Sequence, residues 1–267
     1  MNPYEFGPIA AVLDAAYAVV MSISSLLEPV ADSAAAALAV VLVTLVVRAV
    51  LIPVGVSQVK AANARKRIAP QLAQLQKKHG KDRETLQRKT LELYQREKVS
   101  PTAGCLPMLL QIPVVSTIYG LFIIATVNGH PNALLSERLL GMPLGSSFAS
   151  LVTEGSLDIP GALLGAVIVI VIAVTAQLSR RLLAEPLPGT PGGPPATPTT
   201  PGTPDLTGVM RTLSFLPFLT AIVALFVPLA AALYLVVTTV WTFGERWILR
   251  RVLPPASDPV AAPAPSA

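Results

Sequence analysis

The chain has 267 residues, 52% of them hydrophobic and only 13% charged, with a formal net charge of +5 and a mean hydropathy of +0.62. That balance excludes an ordinary soluble domain and predicts several membrane crossings. A single cysteine, Cys105, rules out an internal disulfide, and the two histidines, His79 and His130, have no ligand-type neighbours, so no metal or other cofactor is expected.

The fold expected is all-α: a polytopic five-span bundle with a cytosolic helical hairpin and an N-terminal interfacial helix. Residues 1–33 contain the stripe Ile9, Val12, Leu13, Ala16, Val19, Val20, Ile23, Leu26 and Leu27. It marks one face of a helix lying on the outer membrane surface. The rival reading is a sixth span. No lysine or arginine precedes Arg48 to hold that end in the cytosol or to begin a signal peptide. Spans are expected at 34–56, 104–127, 161–179, 209–227 and 229–248, the last two joined at Pro228.

Between the first two spans, residues 57–103 hold 12 basic and 4 acidic residues. The stripes Ile68, Leu72, Leu75 and Leu86, Leu93, Tyr94 flank Gly80-Lys81-Asp82. They predict two helical arms of about 18 residues, ended by Ser100-Pro101. Residues 128–160 form an extracytoplasmic loop. Residues 180–208 form a cytosolic linker whose stretch 186–204 has eight prolines and four glycines, too poor in apolar side chains for a core. Residues 249–267 read as a disordered cytosolic tail. This arrangement leaves 18 of the 20 basic residues on one side of the membrane. The positive-inside rule then puts the N-terminus outside and the C-terminus in the cytosol, and the proline- and alanine-rich composition points to a bacterial cell membrane.

Arg48 interrupts the first span, in Thr44-Leu-Val-Val-Arg48-Ala-Val-Leu-Ile-Pro53. A guanidinium stays protonated, and placing one at the bilayer centre costs roughly 2.5–3.5 kcal/mol on insertion scales. The span end lies about 13 Å away at 1.5 Å per residue, deep for a snorkelling anchor. A water-accessible functional arginine is therefore expected. Thr44 precedes it by one turn on the same face. Gln111 is the polar residue of the second span, either facing the same cavity or making an interhelix hydrogen bond. Pro53, Pro107, Pro113 and Pro217 read as helix entries or kinks. Thr102-Ala103-Gly104-Cys105 follows a charged loop, so it is not a lipoprotein cleavage site. No catalytic grouping is visible, and the chain does not read as an enzyme.

These segments resemble the YidC/Oxa1/Alb3 family of membrane protein insertases. Thr44 to Pro53 is similar to its first core span with the groove arginine. Ala69 to Gly80 and Leu93 to Pro101 are similar to the hairpin arms. Gly104-Cys-Leu-Pro-Met-Leu-Leu-Gln111-Ile-Pro113 is the most specific stretch. Leu216-Pro217 and Val227-Pro228 through Tyr234 resemble the closing spans. Departures are Ser100-Pro-Thr-Ala-Gly-Cys105 for an Asn-Pro-x-Gly-Gly-Cys pattern, Leu229-Ala230 for a glycine-containing pair, Leu235 for an aromatic, and a tail without the basic residues linked to ribosome binding.

The resemblance implies a hydrated, positively charged groove that moves nascent membrane proteins from cytosol to bilayer. Arg48, Thr44, Gln111 and Tyr234 are its expected lining. Nascent membrane proteins are the expected substrates. A Sec translocon, anionic lipids and, from hairpin charge alone, the ribosome are candidate partners. The competing classes are an anion transporter or channel using Arg48, and a structural subunit of a membrane complex.

Overall fold

The computed structural model describes residues 7–80, 82–97, 106–124, 126–127, 130–183 and 216–253. The linker 186–204, the tail beyond 253, Thr102–Cys105, Ser100-Pro101 and residues 209–215 lie outside that set. The chain divides into two compact units. The first comprises residues 1–52, 108–182 and 214–244, and the second the remainder.

In the first unit, α1 (Gly7–Ala31) leads through a single 3-10 turn, Asp32–Ala34, into α2 (Ala35–Val50). Asp32 has φ +44°, in the left-handed region that short polar side chains tolerate. The turn folds α1 back onto α2. Ala35, Ala36, Ala37 and Ala39 are buried there, and their small side chains bring the two backbones close. Leu13 and Val20 enter the same core from α1.

Next come α5 (Leu106–Ile123), two antiparallel ladders of two-residue strands, the short α6 (Phe148–Thr153) and α7 (Ile159–Leu178). The ladders pair β1 (Thr126–Val127) with β2 (His130–Pro131) and β3 (Arg138–Leu139) with β4 (Met142–Pro143). Their period-2 stretches are too short to register as strands in the sequence. α6 opens on a capping box formed by Ser147 and Ser150. Asp158 caps α7 by accepting the Gly161 amide at 2.8 Å.

Gly161, Gly165, Ile168, Ile172, Thr175 and Ala176 form the buried stripe of α7. Its opposite face exposes Leu163, Val167, Ile170 and Val174. A helix that packs on one side and remains apolar on the other belongs in lipid. Two helical stretches, Ile9–Val50 and Ile159–Leu183, are long and apolar enough to cross a bilayer, the first containing the α1–α2 turn. The molecule is a helical membrane protein.

The loop after α5 is tied to the turn between α8 (Leu216–Val223) and α9 (Leu229–Val252). The amides of Leu229 and Ala230 donate to the carbonyls of Ser146 and Leu144 at 2.9 and 3.1 Å, and the Ala149 amide donates to Leu225 at 3.0 Å. Leu229 and Ala230, the pair at which the sequence departs from the family pattern, are fully buried. α7 ends in a π-helical turn, Ser179–Leu183, with the Arg180 guanidinium 5.5 Å from the Phe218 ring centroid.

In the second unit, α3 (Ile52–His79) and α4 (Arg83–Arg96) bury Ile68 and Leu93. The arms are unequal, 28 and 14 residues. The longer arm starts at Ile52, ahead of residue 57, because Leu51 carries a turn. Pro53 explains that break: it supplies no amide for the Ala49 carbonyl four residues back and its ring crowds that carbonyl, yet it suits a helix's first turn. Arg96 donates to Gln71 at 2.8 Å and Arg67 pairs with Glu97 at 3.5 Å. Asp82 caps α4 by accepting the Thr85 amide at 3.1 Å. The Thr85 hydroxyl and then its amide hold the Asp82 carboxyl below the ordinary aspartate range. The Asn63 side chain donates to the Leu253 carbonyl at 2.8 Å, closing the C-terminus of α9.

Candidate functional site

A cavity of about 250 Å³ opens inside the first unit, walled by α1, α2, α5 and α9. Arg48 and Thr44 reach it from α2, Tyr234 from α9, and Thr117 from α5. The rest of the described lining is apolar, including Val12, Ala16 and Val20 on α1 and Val40, Val43 and Val47 on α2. Arg48 is the one lining residue among these that carries a charge.

The local reason for the Thr44–Arg48 pairing is helical spacing. Residues four apart stack on one face, so both project toward the same space. Their surroundings differ. Thr44 is buried, and its hydroxyl donates to the Val40 carbonyl at 2.7 Å, one turn back on its own helix. Arg48 is half-buried. Among the described residues no carboxylate forms an ion pair with it.

A guanidinium carries five donors, and among the described residues no carboxylate engages those of Arg48. Its charge acts more strongly in the cavity than in water because apolar walls lower the local dielectric. Tyr234 is buried at 3% exposure, so its ring forms wall and its hydroxyl is the part with polar chemistry. No group of His, Cys, Asp or Glu able to hold a metal ion occurs among the described residues.

The structure thus brings Arg48, Thr44 and Tyr234 together. Gln111 stands on α5 about two turns before the cavity-lining Ile118, and its side chain lies outside the described residues. Sequence reasoning missed Thr117 and the α1 wall. The α1 stripe had already singled out Val12, Ala16 and Val20, but as a surface for lipid headgroups.

Asn132 was also missed. It is buried in the loop after α5, and its amide donates to the carbonyls of Leu121 and, at 3.0 Å, Ile124. Its oxygen accepts the Leu134 amide at 3.2 Å. One side chain therefore satisfies the carbonyl end of the helix that carries Thr117 and leads into the following turn. The Ala133 amide donates to the Tyr17 hydroxyl at 3.4 Å, which ties α1 to the same loop.

Residues 28–256 match the family model described as 60Kd inner membrane protein. A membrane protein insertase YidC of Oceanobacillus iheyensis is 45% identical over 86 residues, 31% of this chain and 34% of that protein. That of Agrobacterium fabrum is 33% identical over 148 residues, 55% of this chain and 25% of that protein. That of Fusobacterium nucleatum is 34% identical over 83 residues, 31% of this chain and 40% of that protein. The aligned stretches thus span well under half the length of these relatives.

Proposed function

We propose that this chain, which belongs to the 60Kd inner membrane protein (YidC/Oxa1) family, is a membrane protein insertase. It moves nascent membrane proteins from the cytosol into the bilayer without making or breaking a covalent bond. The observation that carries this reading is the Arg48 guanidinium, with no carboxylate partner among the described residues, in an otherwise mostly apolar cavity. The names of the relatives support it.

The physical task is desolvation. A polar or acidic segment crossing hydrocarbon loses its water at a cost of several kcal/mol per group. A hydrated cavity with one fixed cation gives such a segment a halfway site and lowers that barrier. Thr44 and Tyr234 add polar atoms to the lining, and Gln111, about two turns before Ile118 on α5, is a further candidate for it. Apolar parts of the client then leave the cavity for lipid.

In the topology that accompanies this reading, five spans place the N-terminus outside and the C-terminus in the cytosol. α1 folds back onto α2 and walls the cavity, and the basic α3–α4 hairpin stands in the cytosol. Its charge attracts anionic lipid headgroups and guides nascent chains. A Sec translocon and the ribosome are further partners of this scheme.

The test is complementation. A bacterial cell depleted of its own insertase receives the wild-type chain, Arg48→Ala or Arg48→Lys. Insertion of a single-span client with an acidic outer segment is read by protease accessibility. Wild type and Arg48→Lys restore insertion, and Arg48→Ala does not. Failure of all three at normal expression contradicts the reading.

A further inference from the structure

The end of α9 carries a second arrangement of cations, unrelated to the cavity. Arg246, Arg250 and Arg251 fall within six positions, interleaved with Trp247, Ile248 and Val252. Trp247, Ile248 and Val252 are 37%, 53% and 67% exposed. The Arg251 guanidinium stacks 3.6 Å from the Trp247 ring centroid. Among the described residues none of the three arginines pairs with a carboxylate, in contrast to Arg67 and Arg96 of the hairpin, which both engage Glu97.

Depth along the helix agrees. α9 has 24 residues, about 36 Å at 1.5 Å per residue, against a hydrocarbon core of about 30 Å. Its last turns therefore emerge from the core at the level of the headgroups. A tryptophan there sits in the aromatic belt, and arginines there reach outward while their stems remain apolar.

We propose that Arg246, Arg250 and Arg251, braced by Trp247, form a binding site for the phosphate of an anionic phospholipid. The guanidinium forks suit phosphate oxygens, and the stacked indole holds Arg251 in place. The exposed apolar residues between the arginines favour a lipid over an RNA phosphate, because their partners are glycerol and acyl chain. The site rests on the membrane crossing of α9 and not on insertase activity.

The chain has two tryptophans, so Trp241→Phe leaves Trp247 as the sole fluorophore. The full-length variant is reconstituted into nanodiscs containing brominated phosphatidylglycerol or brominated phosphatidylcholine at equal mole fraction. Brominated phosphatidylglycerol is expected to quench Trp247 more strongly. Arg250→Gln/Arg251→Gln is expected to lower the apparent affinity by roughly 25-fold, at about fivefold per basic residue, while Arg250→Lys/Arg251→Lys retains the preference. Circular dichroism confirms that both variants stay helical.

Equal quenching by the two lipids overturns the proposal, as does a preference that survives the double Gln substitution. So does shielding of Trp247 by added ribosomal RNA in a phosphatidylcholine bilayer without any lipid preference. Quenching by neither lipid shows that α9 does not reach the headgroups, and it overturns the site together with the topology. The same samples assayed for client insertion test the functional reading separately.

Discussion

Arg48 on α2 and Tyr234 on α9 face one cavity, although α3 to α8 separate them in the chain. Thr44 lies one turn from Arg48 in the same wall, but its hydroxyl already donates to Val40. Thr44→Val keeps the volume and leaves Val40 its helical amide partner. We expect insertion within about twofold of wild type, since back-bonding of this kind adds little to a helix. A client-insertion assay beside Arg48→Ala checks the contrast, and a loss as large as that of Arg48→Ala would show that the hydroxyl works in the cavity.

Asn132 closes the end of α5 with both hydrogens of its amide. Asn132→Ala leaves two carbonyls with one partner fewer, at a cost of about 1–3 kcal/mol. Asn132→Asp keeps the acceptor for Leu134 but loses both donations, so it is expected to destabilise as well. Thermal unfolding in detergent reads both variants, and an unchanged midpoint for Asn132→Asp would contradict the capping role.

Gly165 makes room for Phe148. A Cβ on Gly165 would sit 2.7 Å from Phe148 Cδ1 and Cε1, and Phe148 is itself buried. Gly165→Ala is expected to cost about 1–3 kcal/mol through overpacking. In a Phe148→Leu background that cost shrinks, because the ring that clashes is gone. A double-mutant cycle on unfolding midpoints measures the coupling. Additive effects would contradict direct contact.

Asp82 predicts acid sensitivity at the start of α4. Its carboxyl is held below the ordinary aspartate range by Thr85. Such a group contributes stability above its unfolded value and loses it as pH falls through the folded one. Protection of the Thr85 amide against hydrogen exchange should therefore hold at neutral pH and decline only below the usual aspartate range. Asp82→Ala should remove that pH dependence.

Helical periodicity alone aligned Thr44 with Arg48, and the cost of a buried guanidinium singled Arg48 out. Tyr234 came from the family resemblance, because a tyrosine near the start of an apolar helix has no periodic signal of its own. Thr117 was missed because one threonine in an apolar helix blends into its face. The face that α1 turns to the cavity was legible, but its target was not, since an apolar stripe packs on protein or on headgroups with the same spacing. Asn132 and Gly165 act through tertiary neighbours far away or across a turn, which no local pattern encodes. α3 starts at Ile52, inside the apolar run, whereas the basic residues that mark the hairpin in the sequence begin only at Lys60.

The central claim is that the Arg48 charge carries acidic segments across. The most direct measurement is the insertion rate into proteoliposomes holding the purified protein, wild type or Arg48→Ala, for two clients differing only in Asp or Asn in the translocated segment. The account predicts that Arg48→Ala slows the Asp client at least about tenfold, a difference of about 1.4 kcal/mol, and barely slows the Asn client. Equal slowing of both clients, or of neither, would contradict it.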